Sequence, residues 1–175
     1  MKSLLTAVLT LGVLAVPAMA QEAPKPGPEQ ARIAYFKGTW KTEGTTKASP
    51  MGPAGKFSST QTCDWFAGGF QLVCHSKGTN AAGAAVTGEG IYGYDRAAQE
   101  YTYYGISSMG DGFLAHGRVA GKVWTWTAES TMNGQALKVR ATMTEESPTS
   151  YTFKLEMSVG GGGWTVTEEA KVTKQ

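Results

Sequence analysis

Residues 57–77 read FSSTQTCDWFAGGFQLVCHSK, and this stretch decides the fold class. Threonine, valine and aromatic residues flank the pair Gly68-Gly69, which is the pattern of two strands joined by a tight turn. A two-residue turn at these glycines places Trp65 opposite Leu72 and Cys63 opposite Cys74. The stretch therefore predicts an antiparallel hairpin in which the two cysteines face each other.

The cysteine pair favours a disulfide, which would contribute about 3 kcal/mol in an oxidising compartment. A strict two-residue hairpin makes Cys63 and Cys74 a hydrogen-bonded pair with Cα atoms roughly 5.5 Å apart, so a bulge or a longer turn is an alternative that would change the pairing. Two free buried thiols are the rival interpretation. A zinc site is disfavoured because Cys74 and His75 are neighbours that point to opposite faces, and we predict no metal site.

A second hairpin is predicted with its turn at Ala120-Gly121. Large residues then face small ones, the pairs being Trp124 with Gly117, Trp126 with Ala115, and Ala128 with Phe113. The other face carries polar residues and His116. This pattern predicts that the tryptophans point into the protein and that His116 points outward.

From residue 39 onward, similar short stretches recur between clusters of glycine, asparagine, aspartate or proline. They predict ten strands at residues 39–47, 57–66, 70–77, 86–94, 100–107, 113–119, 122–128, 137–144, 151–157 and 164–172. A long antiparallel meander leaves two exposed edges unless it closes on itself. The sequence therefore predicts an all-β meander closed as a barrel, and a two-sheet sandwich with Greek-key connections is the main alternative.

The N-terminal segment has the pattern of a signal peptide over residues 1–20, with cleavage between Ala20 and Gln21. Its apolar run is shorter than the about 20 residues that span a bilayer, so no permanent membrane anchor is expected. The segment therefore predicts export to the periplasm or the medium. The alternative interpretation is a hydrophobic N-terminal helix that stays in the fold. Residues 21–28 form a proline-rich flexible leader, and residues 29–175 form one barrel domain with a short helix opening near Pro28.

Composition excludes one class of partner and favours a compact fold. The chain has 16 Lys and Arg against 14 Asp and Glu, for a net charge of +2, which is too small to hold a nucleic-acid backbone. Its 23 glycines, together with 41% hydrophobic residues, indicate a compact fold with many turns rather than disorder.

The motif Gly38-Thr39-Trp40 resembles the Gly-x-Trp start of lipocalin-type barrels, in which the tryptophan plugs the closed end. Further glycine and aromatic motifs follow at residues 65–70, 90–95, 101–104 and 107–112. Together they resemble the exported bacterial family known as domain of unknown function 1579, over residues 29–172. The resemblance implies a barrel like those of lipocalins or fatty-acid-binding proteins and implies no activity, and the Cys63 and Cys74 pair departs from the family pattern.

Nucleophilic catalysis would need a serine, a base and an acid in one place. Ser107 or Ser108, His116 and Asp111 lie close in sequence, but His116 is predicted to point outward and no Gly-x-Ser-x-Gly elbow is present. Glycine-rich turns carry serine and aspartate for structural reasons. We predict no catalytic residues and no cofactor, and a non-enzymatic protein is favoured.

The strand phase of Glu168 places a carboxylate among the inward residues Trp164, Val166, Ala170 and Val172. A position at the rim, or a bulge that flips the phase, is the alternative. Polar groups beside inward tryptophans favour a binding cavity over a dry core. The predicted ligand-lining residues are Trp40, Gln61, Trp65, Trp124, Trp126, Phe153 and Glu168.

The best-supported function is therefore the binding of a small, partly apolar molecule inside the barrel. One alternative is a structural or interaction protein of the cell envelope whose barrel is filled by its own side chains. Another is a haem-binding barrel, since the nitrobindins resemble this layout. Haem binding needs an inward histidine, and His75 and His116 are both predicted to point outward.

Overall fold

The computed structural model describes residues 24–49 and 52–175. The predicted signal peptide and its cleavage site between Ala20 and Gln21 lie outside the described residues. A short helix, α1 (Pro28–Ile33), and one 3₁₀ turn (Ala34–Phe36) precede ten strands. The strands are β1 (Gly38–Thr46), β2 (Gly55–Trp65), β3 (Leu72–Thr79), β4 (Ala85–Asp95), β5 (Glu100–Ser107), β6 (Gly112–Ala120), β7 (Val123–Met132), β8 (Gln135–Ser147), β9 (Ser150–Val159) and β10 (Thr165–Lys174). None of the helical segments in the described ranges is long and apolar enough to cross a membrane.

Every strand pairs with its sequence neighbours in antiparallel orientation, and β1 pairs with β10 to close the barrel. The closing seam runs in continuous register from Trp40 opposite Lys174 to Thr46 opposite Glu168. Closure removes both sheet edges, so each of the ten strands has a hydrogen-bonded neighbour on both sides. The predicted all-β meander closed as a barrel with a short N-terminal helix is confirmed, and the sandwich alternative is wrong.

The first hairpin has the predicted register but a longer turn. Cys63 lies opposite Cys74 and Trp65 opposite Leu72, as expected. The loop, however, contains the four residues 67–70, because the amide of Phe66 donates to the carbonyl of Gln71 at 2.9 Å. This makes the cysteine pair a non-hydrogen-bonded one, which is the closer type of cross-strand pair. The Cα atoms of Cys63 and Cys74 are accordingly 4.0 Å apart, and their sulfur atoms lie at bonding distance, 2.04 Å.

The predicted register of the second hairpin is wrong by two residues. The turn lies at Gly121-Lys122, and Trp126, rather than Trp124, lies opposite Gly117. Gly121 has φ of +59°, and a positive φ at the first central residue is the requirement that glycine meets in a tight hairpin turn. Because a shift of two residues preserves the strand phase, the tryptophans still point into the barrel and His116 still points outward.

Gly117 provides the space into which the ring of Trp126 packs. A Cβ atom added at Gly117 would lie 2.4 Å from the nearest ring atom of Trp126. We therefore expect Gly117→Ala to force the ring out of place and to lower the free energy of unfolding by about 1–3 kcal/mol. Urea unfolding followed by circular dichroism measures the change.

Gly163→Ala is the matched control for this substitution, because a Cβ atom at Gly163 would meet nothing within 4 Å. We expect it to change stability by no more than about 0.5 kcal/mol. Equal effects of the two substitutions would contradict the packing of Trp126 against Gly117.

Strand β10 contains a bulge that corrects the predicted phase of its first half. Val166 pairs with Glu156 and Glu168 pairs with Leu155, so Thr167 is the extra residue. The bulge places Trp164 on the outside, where it is 42% exposed and the guanidinium of Arg140 lies 4.3 Å from its ring centroid. Val166 also leaves the inward set, whereas Glu168 keeps its inward phase. The prediction that Trp164 and Val166 share the inward phase of Glu168 is therefore wrong.

Candidate functional site

One end of the barrel is closed by α1 and the 3₁₀ turn. Ile33 and Phe36 are buried in the same core cluster as Trp40, Trp124 and Tyr151. The ring of Phe36 stacks on Tyr92 at a centroid distance of 5.0 Å. Hydrophobic residues of the short helix enter the end of the barrel. They bury apolar surface that would otherwise be exposed to water at this end. This aromatic cluster plugs the end at which β1 begins.

Polar contacts fix the helix on this closed end. Arg32 forms an ion pair with Glu145, and the same carboxylate accepts a hydrogen bond of 2.6 Å from Nε1 of Trp124. The guanidinium of Arg32 also lies 4.7 Å from the Trp124 ring centroid. The hydroxyl of Tyr35 lies 2.9 Å from the backbone carbonyl oxygens of Ser147 and Ser150, in the β8–β9 turn. Burial and the nearby Glu145 carboxylate raise the pKa of Tyr35 to about 12, so this hydroxyl keeps its proton.

Above the plug, the described side chains leave a cavity of about 690 Å³. It reaches the connections at the opposite end of the barrel, where Ser49, Pro53, Asn80 and Asp111 lie at its edge. Its floor is formed by aromatic residues that also touch the plug, among them Tyr92, which lies between Phe36 and Trp126. The barrel is therefore closed at one end and hollow toward the other.

Four of the seven residues predicted to line a ligand site do line this cavity: Gln61, Trp126, Phe153 and Glu168. The other three do not. Trp40 and Trp124 are fully buried in the plug, and Trp65 packs half-buried against the same core cluster. These three tryptophans lie outside the cavity lining, because an inward strand phase does not tell at which height along the barrel a residue lies.

Strand order carries a signal that separates the two sets. In an antiparallel meander the odd strands begin, and the even strands end, at the same end of the barrel. The helix precedes β1, so it lies at the end where β1 and β7 begin and β2 ends. Trp40, Trp124 and Trp65 occupy these three positions. Residues farther along the strands, such as Gln61 and Trp126, reach the cavity.

Several aromatic residues of the cavity were not predicted. Tyr92, Tyr103 and Tyr151 line it together with Phe57 and Phe113. Burial raises the pKa of the hydroxyls of Tyr92, Tyr103 and Tyr151 above the usual value for tyrosine. These hydroxyls therefore stay protonated at physiological pH and can both donate and accept hydrogen bonds.

Several polar groups of the lining have no partner among the described residues, among them those of Gln61, Glu168 and Trp126. Neither the amide of Gln61 nor the carboxylate of Glu168 makes a hydrogen bond or ion pair with any residue in the described ranges. The indole nitrogen of Trp126 is also buried without a hydrogen-bond partner among these residues. Burial raises the pKa of Glu168, because its charged form loses contact with water. Unpaired polar groups are uncommon in a packed core but are usual in the wall of a binding cavity.

His116 does not join the serine and the aspartate in one cluster. Ser107 donates a hydrogen bond to Asp111 at the open end. Nδ1 of His116 lies on the outer surface, 2.7 Å from Glu100, and His116 is four residues along β6 from Gly112. The other histidine, His75, pairs with Glu89 on the outside. Among the described residues, the cavity therefore presents no imidazole to a haem iron or to a serine nucleophile.

Comparison with known proteins places the chain in a family. A family model with the description "Protein of unknown function (DUF1579)" matches residues 25–174. No curated protein is significantly similar in sequence. The crystal structure of Rv2717c from M. tuberculosis is similar to the chain with a TM-score of 0.57 at 13% identity, covering 85% of this chain and 98% of that one. The S-type phycobiliprotein lyase CPES from Guillardia theta has a TM-score of 0.55 at 9% identity, with coverage of 84% and 92%. At these identities the likeness concerns the fold alone.

Proposed function

The chain belongs to the DUF1579 family of proteins of unknown function, and we propose that it binds a small, partly apolar molecule in the cavity of its barrel. The cavity itself carries this proposal. Its volume of about 690 Å³ lies within the range of about 300–1,000 Å³ that small-molecule sites occupy. A barrel filled by its own side chains, the structural alternative, would not leave such a volume beside buried aromatic rings.

The chemistry of the lining fits a ligand with an apolar body and one polar group. Aromatic and aliphatic side chains supply most of the wall, including Tyr103, Trp126 and Leu155. The amide of Gln61 and the carboxylate of Glu168 are polar groups of the wall that have no partner among the described residues. A ligand that pairs with either group recovers the cost of its desolvation and is thereby oriented.

We also propose that the protein is exported. Residues 1–20 have the signal-peptide pattern described above. The sulfur atoms of Cys63 and Cys74 lie at bonding distance, and disulfides persist in oxidising compartments. Cleavage between Ala20 and Gln21 would leave the proline-rich leader at the N-terminus of the mature protein. Mass spectrometry of the protein purified from its own host should give the mass of a chain that begins at Gln21.

Binding to the cavity can be tested with Nile red, a neutral dye whose fluorescence rises in apolar surroundings. We expect saturable binding to the wild-type protein. Ala128 lines the cavity, opposite Val139 on β8. Ala128→Phe should place a ring in the cavity and weaken dye binding by about tenfold or more, because the ring occupies space that the dye needs.

Thr127→Phe is the matched control, since Thr127 is the neighbouring residue and its side chain is exposed on the outside of the barrel. Its dye affinity should equal that of the wild type. The outer surface also carries exposed apolar residues, such as Tyr104 and Leu114. Dye binding that survives Ala128→Phe unchanged would place the dye on that surface and would contradict the proposed function.

A further inference from the structure

We propose that the ligand of this cavity is an organic cation, whose positively charged nitrogen pairs with the carboxylate of Glu168 while its apolar body contacts the aromatic wall. This inference rests on the proposed function and narrows it to one chemical class of ligand. It follows from the charges that line the cavity, from the lack of partners of Glu168 among the described residues, and from the aromatic residues elsewhere in the cavity wall.

All charged residues that line the cavity are acidic. They are Asp111, Glu129 and Glu168, and the described lining contains no lysine, arginine or histidine. Glu129 is neutralised by Lys138, whose Nζ lies 3.2 Å away on the outer side. Asp111 accepts a hydrogen bond from Ser107 and has no ion-pair partner among the described residues. The negative charge is local to the cavity, because the whole chain has a net charge of +2.

Glu168 is the charged group that projects inward from the wall. The cationic side chains near it in sequence, Lys171 and Lys174, and Lys47 beyond the end of β1, are exposed. The neighbouring carboxylate, Glu169, points outward and lies 3.8 Å from Nζ of Lys47. Within the part of the chain that the structure describes, Glu168 has no such partner, and burial disfavours its charged form, which raises its pKa. A cation bound beside Glu168 would restore the ionised carboxylate, so the two charges stabilise each other.

The aromatic residues of the wall favour a cation in a second way. The faces of tyrosine, tryptophan and phenylalanine rings attract positive charge. Tyr92, Tyr103 and Trp126 form a contiguous group, with ring centroids 4.6 Å apart for Tyr92 and Tyr103 and 5.5 Å apart for Tyr92 and Trp126. The cavity therefore combines aromatic surface with charged lining residues that are all acidic. A carboxylate ligand such as a fatty acid would find no cationic partner among the described lining residues.

Three probes with the same chain and different head groups test this inference. Decylammonium is positively charged at neutral pH, 1-decanol is neutral, and decanoate is negatively charged. Displacement of Nile red gives their relative affinities at equal ionic strength. We expect decylammonium to bind at least about tenfold more tightly than 1-decanol, as a charge-assisted hydrogen bond in a cavity would require, and decanoate to bind most weakly.

The residue responsible is identified by two substitutions. Glu168→Gln removes the inward charge and should abolish the preference for decylammonium, so that decylammonium and 1-decanol bind with similar affinity. Glu169→Gln removes the same charge from the outer face one residue away and should keep the preference. Glu168→Gln should melt at a temperature no lower than the wild type at pH 7, because the amide has no charge to desolvate. Retained saturable binding of Nile red, together with the melting temperature, verifies that the cavity of this variant is intact.

The outcomes separate the two levels of the proposal. If 1-decanol displaces the dye and decylammonium does so no better, or if the preference survives Glu168→Gln, the cation inference is wrong and cavity binding stands. If neither Nile red nor any decyl probe binds, the proposed function itself is wrong. A preference for decylammonium that is lost in Glu168→Gln and kept in Glu169→Gln supports both the cation inference and the proposed function.

Discussion

Trp40→Ala should lower the free energy of unfolding by about 3–5 kcal/mol, which is the usual cost of removing a large aromatic ring from a packed core. Trp40 is 1% exposed. Its ring centroid lies 5.5 Å from that of Tyr35 and 5.3 Å from that of Tyr151, and its Nε1 donates to the carbonyl of Phe36 at 2.9 Å. The substitution therefore leaves a hole at the point where the first strand, the 3₁₀ turn and β9 meet. Chemical denaturation followed by far-ultraviolet circular dichroism, which does not rely on tryptophan fluorescence, measures the change in the free energy of unfolding.

Trp164→Ala provides the comparison, because Trp164 is the same residue type on the outer surface, where it is 42% exposed. Its ring contacts Arg140, so a loss of no more than about 1 kcal/mol is expected. Trp40→Phe keeps an aromatic ring and loses the hydrogen bond to the carbonyl of Phe36. Its loss of stability should therefore lie between those of Trp40→Ala and Trp164→Ala. Similar losses for Trp40→Ala and Trp164→Ala would show that the closed end does not depend on its tryptophan.

Much of the fold is readable from the sequence because the strands are short, repeated and separated by turn residues. Closure follows from the same reasoning, since a meander of this length has unpaired edges until its first and last strands meet. The errors are local. The residue pattern predicts the β6–β7 turn one residue before its position at Gly121-Lys122. It also predicts that β7 ends at Ala128, whereas the strand continues to Met132 and turns at Asn133-Gly134.

The candidate site was harder to predict for a different reason. Alternation along a strand tells which face of the sheet a side chain occupies, and it placed Gln61, Trp126 and Glu168 inside. It gives no height along the barrel axis, so Trp40 and Trp124 could not be separated from the cavity by phase alone. The bulge at Thr167 has no signature in the residue pattern, because threonine is also a favoured residue of regular strands.

The structure divides the barrel interior into two regions with different roles. Near α1, polar groups such as Glu145 and Nε1 of Trp124 are paired with each other and with Arg32. In the cavity, Gln61 and Glu168 have no partner among the described residues. Paired polar groups stabilise a fixed arrangement, whereas unpaired ones leave hydrogen-bonding capacity for another molecule. The closed end therefore serves stability, and the cavity is the region in which substitutions should change binding more than folding.

The bond between Cys63 and Cys74 should contribute about 3 kcal/mol to stability, since it closes a short loop whose two ends are 11 residues apart in sequence. Both cysteines are buried in the core cluster, so a reductant would reach them poorly in the folded protein. The protein is therefore first unfolded in urea, where a phosphine reductant can reach the bond, and is then refolded with the reductant still present. A sample treated in the same way without the reductant is the reference. The reduced protein should unfold at a lower urea concentration, with a similar slope of free energy against urea concentration.

The double substitution Cys63→Ala/Cys74→Ala separates the effect of the bond from that of the reductant. It should be about as unstable as the reduced wild type, and it should not respond to the reductant, because it has no bond to break. Maleimide labelling in urea without reductant should add no mass to the wild-type protein and two labels after reduction. Two labels before reduction would show free thiols, which is the rival interpretation of the pair. The stability difference matters because the hairpin of β2 and β3 carries Gln61 into the cavity wall, and the bond holds these two strands in register.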